Sequence, residues 1–90
     1  MTTVVWTLAA LVDLKDIRRY IGAFNPQAAQ RIAARLISVS SSLVDLPDRG
    51  RPVLGTDLRE VTVVPPYIIR YRVAGDLVLI LRVRHGRRRP

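Results

Sequence analysis

The sequence predicts an α+β domain: an N-terminal strand, an antiparallel helical hairpin and a three-stranded antiparallel meander, with the helices packed on one face of the sheet. Two patterns carry that prediction. Apolar residues recur at helical spacing through the first half of the chain, whereas β-branched and aromatic runs broken by Gly and Pro fill the second half. The two kinds of segment are grouped rather than alternating, which indicates an α+β sheet. Ninety residues suit one domain spanning 1–90, with a basic tail at about 85–90.

Each element has a local cause. Thr3 to Trp6 is a short apolar, β-branched run, and the Thr7 hydroxyl can cap a helix starting near Leu8. Ala10, Leu14, Ile17 and Ile21 then form one stripe, with Asp13, Lys15, Asp16, Arg18 and Arg19 largely off it, and the helix should stop at Gly22. Asn25-Pro26 restarts it, because asparagine caps well and proline at the first helical position forfeits no hydrogen bond. Ala29, Ile32, Ala33, Leu36, Val39 and Leu43 share one side of this second helix, which fades through Ser40, Ser41 and Ser42. Asp48 to Thr56, with Gly50, Pro52 and Gly55, reads as a loop. Strands follow at about Leu58–Val64, Tyr67–Val73 and Asp76–Arg84, separated by Pro65-Pro66 and Ala74-Gly75.

The last hairpin sets which side chains share a face. Tyr67, Ile69, Tyr71 and Val73 alternate with Ile68, Arg70 and Arg72, and Leu77, Leu79, Leu81 and Val83 alternate with Val78, Ile80, Arg82 and Arg84. A three-residue loop of Val73, Ala74 and Gly75 brings the two apolar sets together and sets Arg72 across from Asp76. A two-residue Gly75-Asp76 turn opposes arginines with leucines. The odd loop is therefore expected. It yields an open face on which Arg70, Arg72, Arg82 and Arg84 surround Ile68, Val78 and Ile80, a mixed apolar and cationic surface suited to an acidic protein partner.

Charge points the same way. The net charge is +8, and ten arginines from Arg49 onward face Asp57, Glu60 and Asp76, so the second half carries most of it. Lys15 is the sole lysine, and the chain has no cysteine. One histidine and scattered acids supply no metal site, no phosphate-binding glycine loop is present, and no cofactor is expected. Val4 to Val12 is too short to span a bilayer, and a cytoplasmic location without membrane contact is expected. Neither helix carries a concentrated basic face, so direct sequence-specific DNA binding is not expected.

Taken in order, the tryptophan-ended first strand, Asp13-Leu14, Tyr20-Ile21, Asn25-Pro26, Leu46-Pro47, Gly50-Arg51, Leu58-Arg59-Glu60, Tyr67-Ile68-Ile69-Arg70-Tyr71-Arg72-Val73 and the closing Val83-Arg84-His85-Gly86-Arg87-Arg88 resemble toxins of the RelE/ParE superfamily, closer to ParE. The resemblance covers nearly the whole chain. It implies a bacterial type II toxin–antitoxin module in which an acidic antitoxin with a partly disordered C-terminal segment wraps the toxin. RelE-like members are ribosome-dependent nucleases that cut mRNA; ParE-like members poison DNA gyrase without chemistry of their own.

The residues lean toward the second group. RelE-like sites draw on mid-chain lysines and a late tyrosine, and here no tyrosine follows Tyr71 and Lys15 lies on the first helix. The remaining catalytic option is Glu60 as base and His85 as acid, with Arg59, Arg70 and Arg82 around the phosphate. Strand alternation, however, turns His85 away from Arg82 and Arg84, and Tyr67 and Tyr71 toward the core. The expectation is thus a gyrase inhibitor. Its antitoxin lies along the helix pair and the sheet edge, touching Ile68, Arg70, Arg72, Val78, Ile80, Arg82 and Arg84, while Arg87, Arg88 and Arg89 contact the target. The alternatives are the nuclease and a non-toxic member that acts only in a repressing antitoxin complex.

Overall fold

The structure, a computed structural model, describes residues 2–86. Strand β1 (Thr3–Trp6) leads into helix α1 (Leu8–Gly22), and helix α2 (Pro26–Ser42) follows after a three-residue link. Strands β2 (Arg51–Pro52), β3 (Leu58–Thr62), β4 (Tyr67–Ala74) and β5 (Leu77–His85) complete a five-stranded sheet in the order β1-β5-β4-β3-β2. The β1–β5 pair is parallel and the other pairs are antiparallel. The short β2 lies inside the segment expected to be loop, where two residues pair with Arg59 and Glu60.

The caps act as the sequence predicts. Thr7 Oγ1 accepts from the Ala10 N–H at 3.2 Å, and Asn25 Oδ1 accepts from the Ala28 N–H at 3.0 Å. Thr7 also donates its hydroxyl to the Ile80 carbonyl at 2.9 Å, which ties the start of α1 to the middle of β5. Ala10, Leu36, Val39 and Leu43 pack on Val61, Tyr67, Ile69, Tyr71, Val78, Ile80 and Val83 of the sheet, flanked by Leu14, Ile17, Ile21, Ile32 and Trp6. Both stripes read from the sequence therefore face the core. Ser40, the one buried polar residue among those described, accepts from Trp6 Nε1 and donates to the Ile37 carbonyl.

The β4–β5 hairpin differs from the expected register. Ala74 pairs with Leu77, so the turn is the two-residue Gly75-Asp76, with Gly75 at φ +58°, and Arg72 stands opposite Leu79 rather than Asp76. Parity is restored further along. Arg70 pairs with Arg82 whereas Tyr71 pairs with Ile80, so Leu81 is an additional residue in β5, a β-bulge. Between the turn and the bulge the even positions face the helices, and Val78 and Ile80 are fully buried. Their expected place on the open face is corrected: that place is taken by Leu77 and Leu79, with Val5 of β1 beside Leu79. Beyond the bulge the expected phase holds, with Ile69 and Val83 in the core and Ile68 opposite Arg84.

Tyr71 anchors the far side of the sheet. Its buried hydroxyl donates to the Pro47 carbonyl at 2.7 Å and accepts from the Gly50 N–H at 2.8 Å. Gly50 lies so close that a Cβ there would meet the Tyr71 ring and the Glu60 carbonyl at 2.8 Å, which only glycine avoids.

Candidate functional site

The sheet face turned away from the helices carries the arginines read from the sequence, but the chain supplies counter-charge for most of them. Arg70 donates Nε and Nη2 to Glu60 Oε2 at 2.9 and 2.7 Å, across the β3–β4 pair, with both side chains largely buried. Arg72 lies 3.1 Å from Asp57 Oδ2 as an ion pair outside hydrogen-bonding geometry. Arg84 has no ion-pair partner among the described residues. A depression of about 190 Å³ is bordered by Glu60, Ile68, Arg70, Arg84, His85 and Gly86.

Arg82 leaves this group. Its Nε and Nη2 donate to Asp13 Oδ2 and Oδ1 of α1 at 2.8 and 3.1 Å, and Asp13 Oδ2 also accepts from the Val83 N–H at 2.9 Å. The physical reason is the sheet edge. β1 ends at Trp6 opposite Ile80, so the following residues of β5 have no strand on that side, and a carboxylate from α1 takes the Val83 amide instead. Hydrogen bonding and attraction to Asp13 raise the Arg82 pKa above its ordinary value.

The five residues of the nuclease option are thus only partly assembled. Glu60, Arg70 and His85 border one depression. Arg59 instead donates to the Gly50 carbonyl at 2.7 Å and approaches Asp48, and Arg82 is held by α1. The register sets His85 opposite Tyr67, with its ring edge-on to the Tyr67 ring at a centroid distance of 5.4 Å. Arg87, Arg88 and Arg89, the expected target contacts, lie outside the described residues.

A second surface lies on the helix pair, where the antitoxin was expected, though its lining residues were not read from the sequence. A groove of about 700 Å³ runs between α1 and α2, floored by Leu11, Leu14, Gly22 and Ala29 and rimmed by Lys15, Arg18 and Arg19, with no acidic residue lining it. None of these three cations has an ion-pair partner among the described residues. A signal was available: Leu11, Lys15, Arg18 and Gly22 repeat the i, i+4, i+7, i+11 spacing of the core stripe, displaced by one residue. Asp13 and Asp16, interspersed in the sequence, hide it.

Residues 4–90 match the family described as ParE toxin of the type II toxin–antitoxin system parDE. The chain belongs to the ParE toxin family. This ParE-family toxin is 57% identical to Toxin RelE2 of Caulobacter vibrioides over 88 residues, covering 98% of this chain and 99% of the relative. Toxin RelE1 of the same organism is 33% identical over 87 residues, 93% of this chain and 92% of that protein. A solved structure titled as the chromosomal ParDE TA system from P. aeruginosa superposes with a TM-score of 0.83 at 26% identity, covering 94% of this chain and 96% of that one. The fold, its element order and the family agree: the protein is a toxin of a type II toxin–antitoxin system. Among the described residues no helix is long and apolar enough to cross a membrane, and no cluster of His, Cys, Asp and Glu can hold a metal.

Proposed function

We propose that this toxin acts without chemistry of its own, by binding DNA gyrase and trapping its cleaved-DNA complex, and that an acidic antitoxin holds it inactive. The observation that carries this reading is the use already made of the groups a nuclease needs. Glu60 accepts two hydrogen bonds from Arg70, the His85 ring is set against Tyr67, and Arg59 and Arg82 brace the fold elsewhere. Cutting RNA through the 2'-hydroxyl needs a base and an acid converging on one phosphodiester. Purified toxin in excess over gyrase is expected to arrest supercoiling and accumulate cleaved DNA; undisturbed supercoiling overturns the reading.

The antitoxin we place on the helical hairpin. The groove between α1 and α2 joins an apolar floor to three unneutralised cations, the complement of an amphipathic segment with acidic residues on its flanks. Val78 and Ile80 are buried and Arg82 is bound by Asp13, so these leave the expected contact set. Arg87, Arg88 and Arg89 remain proposed gyrase contacts.

One observation favours a second reading. Glu60, Arg70 and His85 do share a depression, and a relative 57% identical is named RelE2. A ribosome-dependent nuclease predicts mRNA cut during translation in the presence of toxin, and loss of cutting in His85→Ala.

A further inference from the structure

With the antitoxin proposed to lie in the α1–α2 groove, the open sheet face is a separate surface, and it is not an ordinary solvated one. On β1 and the first part of β5 it carries Val5, Leu77 and Leu79. Arg72 follows on β4 opposite Leu79, and further along stand Ile68 and Arg84, paired across β4 and β5 at the depression. Val5 is 41% exposed. The bulge at Leu81 creates this arrangement, because it brings leucines to the face before it and arginine after it.

We propose that this face is a second docking surface, which takes an extended protein segment of alternating aliphatic and acidic residues with Arg84 as its carboxylate anchor. The inference rests on the toxin reading in one respect: the segment belongs to the toxin's target rather than to its antitoxin. Three features fix the chemistry of the occupant. Arg70 and Arg72 already hold Glu60 and Asp57, so Arg84 is the cation there with its charge unspent, and a guanidinium receives a carboxylate through two parallel hydrogen bonds. With those two pairs neutral, one free guanidinium on this face, among the described residues, gives a phosphate backbone little to hold, and the aliphatic strip offers it nothing, which sets a nucleic acid aside. A second copy of this chain meeting the first face to face sets arginine against arginine. From Leu79 to Arg84 is five residues along β5, about 16 Å, which an extended segment of about five or six residues covers. The chain then passes from Arg84 through Gly86, at the border of the depression, into the arginines proposed to reach the target.

The test uses a blocked hexapeptide of alternating leucine and glutamate and the full-length toxin, followed by NMR chemical-shift mapping. Shifts are expected at Val5, Ile68, Leu79 and Arg84. Arg84→Glu and Leu79→Thr should weaken binding by about tenfold or more, with Arg84→Gln intermediate, and Lys15→Glu combined with Arg18→Glu should leave it unchanged. The proposal is overturned if shifts confine themselves to the α1–α2 groove, if the face variants bind like the wild type, or if a single-stranded oligonucleotide but not the peptide perturbs the face. In cells, Arg84→Glu should lose growth arrest while still co-purifying with the antitoxin; retained arrest also overturns it. A wild-type protein that causes no arrest sinks the toxin reading instead, and the peptide result then decides the docking surface by itself.

Discussion

The two parts of β5 on either side of Leu81 obey opposite rules. From Leu77 to Ile80 the even residues are buried and the odd ones look outward; from Arg82 to His85 the odd residues turn to the core side. One additional residue makes the difference, since side chains alternate with a period of two and a bulge shifts that count by one. The consequence reaches function. The outward face becomes aliphatic near the turn and cationic near the C-terminal end, so a single strand presents two chemistries to a partner.

Deleting Leu81 and Arg82 together attacks this comparison most directly, whereas deleting Leu81 alone removes the bulge and leaves Ile80 and Arg82 in regular alternation. Without both residues Val83 turns outward and Arg84 is forced toward the core, unless Ile80 leaves it instead. The deletion is expected to cost on the order of 4 kcal/mol or more, enough to abolish cooperative urea unfolding in a domain this small. A soluble variant with a normal, sharp transition contradicts the two-rule account.

The next largest contrast lies between neighbours. Ile80→Ala, at a position with no exposure, should destabilise by about 3 kcal/mol, whereas Leu79→Ala, on the outward face, should cost under about 1 kcal/mol. The odd-loop register reverses that order. Denaturation midpoints of the two variants, measured side by side, separate the registers without any further structure.

This contrast also explains what the sequence reveals and what it hides. Helix starts at Thr7 and Asn25-Pro26, the stripes through Ala10 and Leu36, and the breaks at Pro65-Pro66 all have local causes, and each is legible. Leu77-Val78-Leu79-Ile80-Leu81 is apolar at every position, so alternation carries no information there, and a turn and a bulge can satisfy the arginines as well as an odd loop can. The link from Asp13 to Arg82 and Val83 joins residues 69 and 70 positions apart. No spacing rule reaches that far. The neutralisation of Arg70 by Glu60 likewise became visible only in three dimensions.

Asp13→Asn sharpens the comparison at the edge strand. The amide can still accept from Val83 but loses its charge for Arg82, so a cost of about 1–2 kcal/mol is expected, with faster hydrogen exchange at the Val83 amide than at that of Val78. Because the Val78 half is sheltered by β1 and the Val83 half by one carboxylate, equal exchange at both amides under this substitution contradicts Asp13 as the closing group.

The smallest effect concerns the ion pairs on the outward face. Arg70–Glu60 lies beside the Arg82 side of the bulge, with side chains 29% and 16% exposed, and Arg72–Asp57 lies on the turn side, with side chains 43% and 70% exposed. Solvent screens the second pair, and its geometry forms no hydrogen bond; the first has two donors on one oxygen and little water around it. Double-mutant cycles should therefore give a coupling of about 1–2 kcal/mol for Arg70–Glu60 and under about 0.5 kcal/mol for Arg72–Asp57. Added salt should reduce both, the exposed pair to nothing measurable. A coupling for Arg72–Asp57 as large as that for Arg70–Glu60 contradicts this ranking, because it requires the turn end of the face to be as sheltered as the end beyond the bulge, and an aliphatic strip so sheltered has no room for a docked segment.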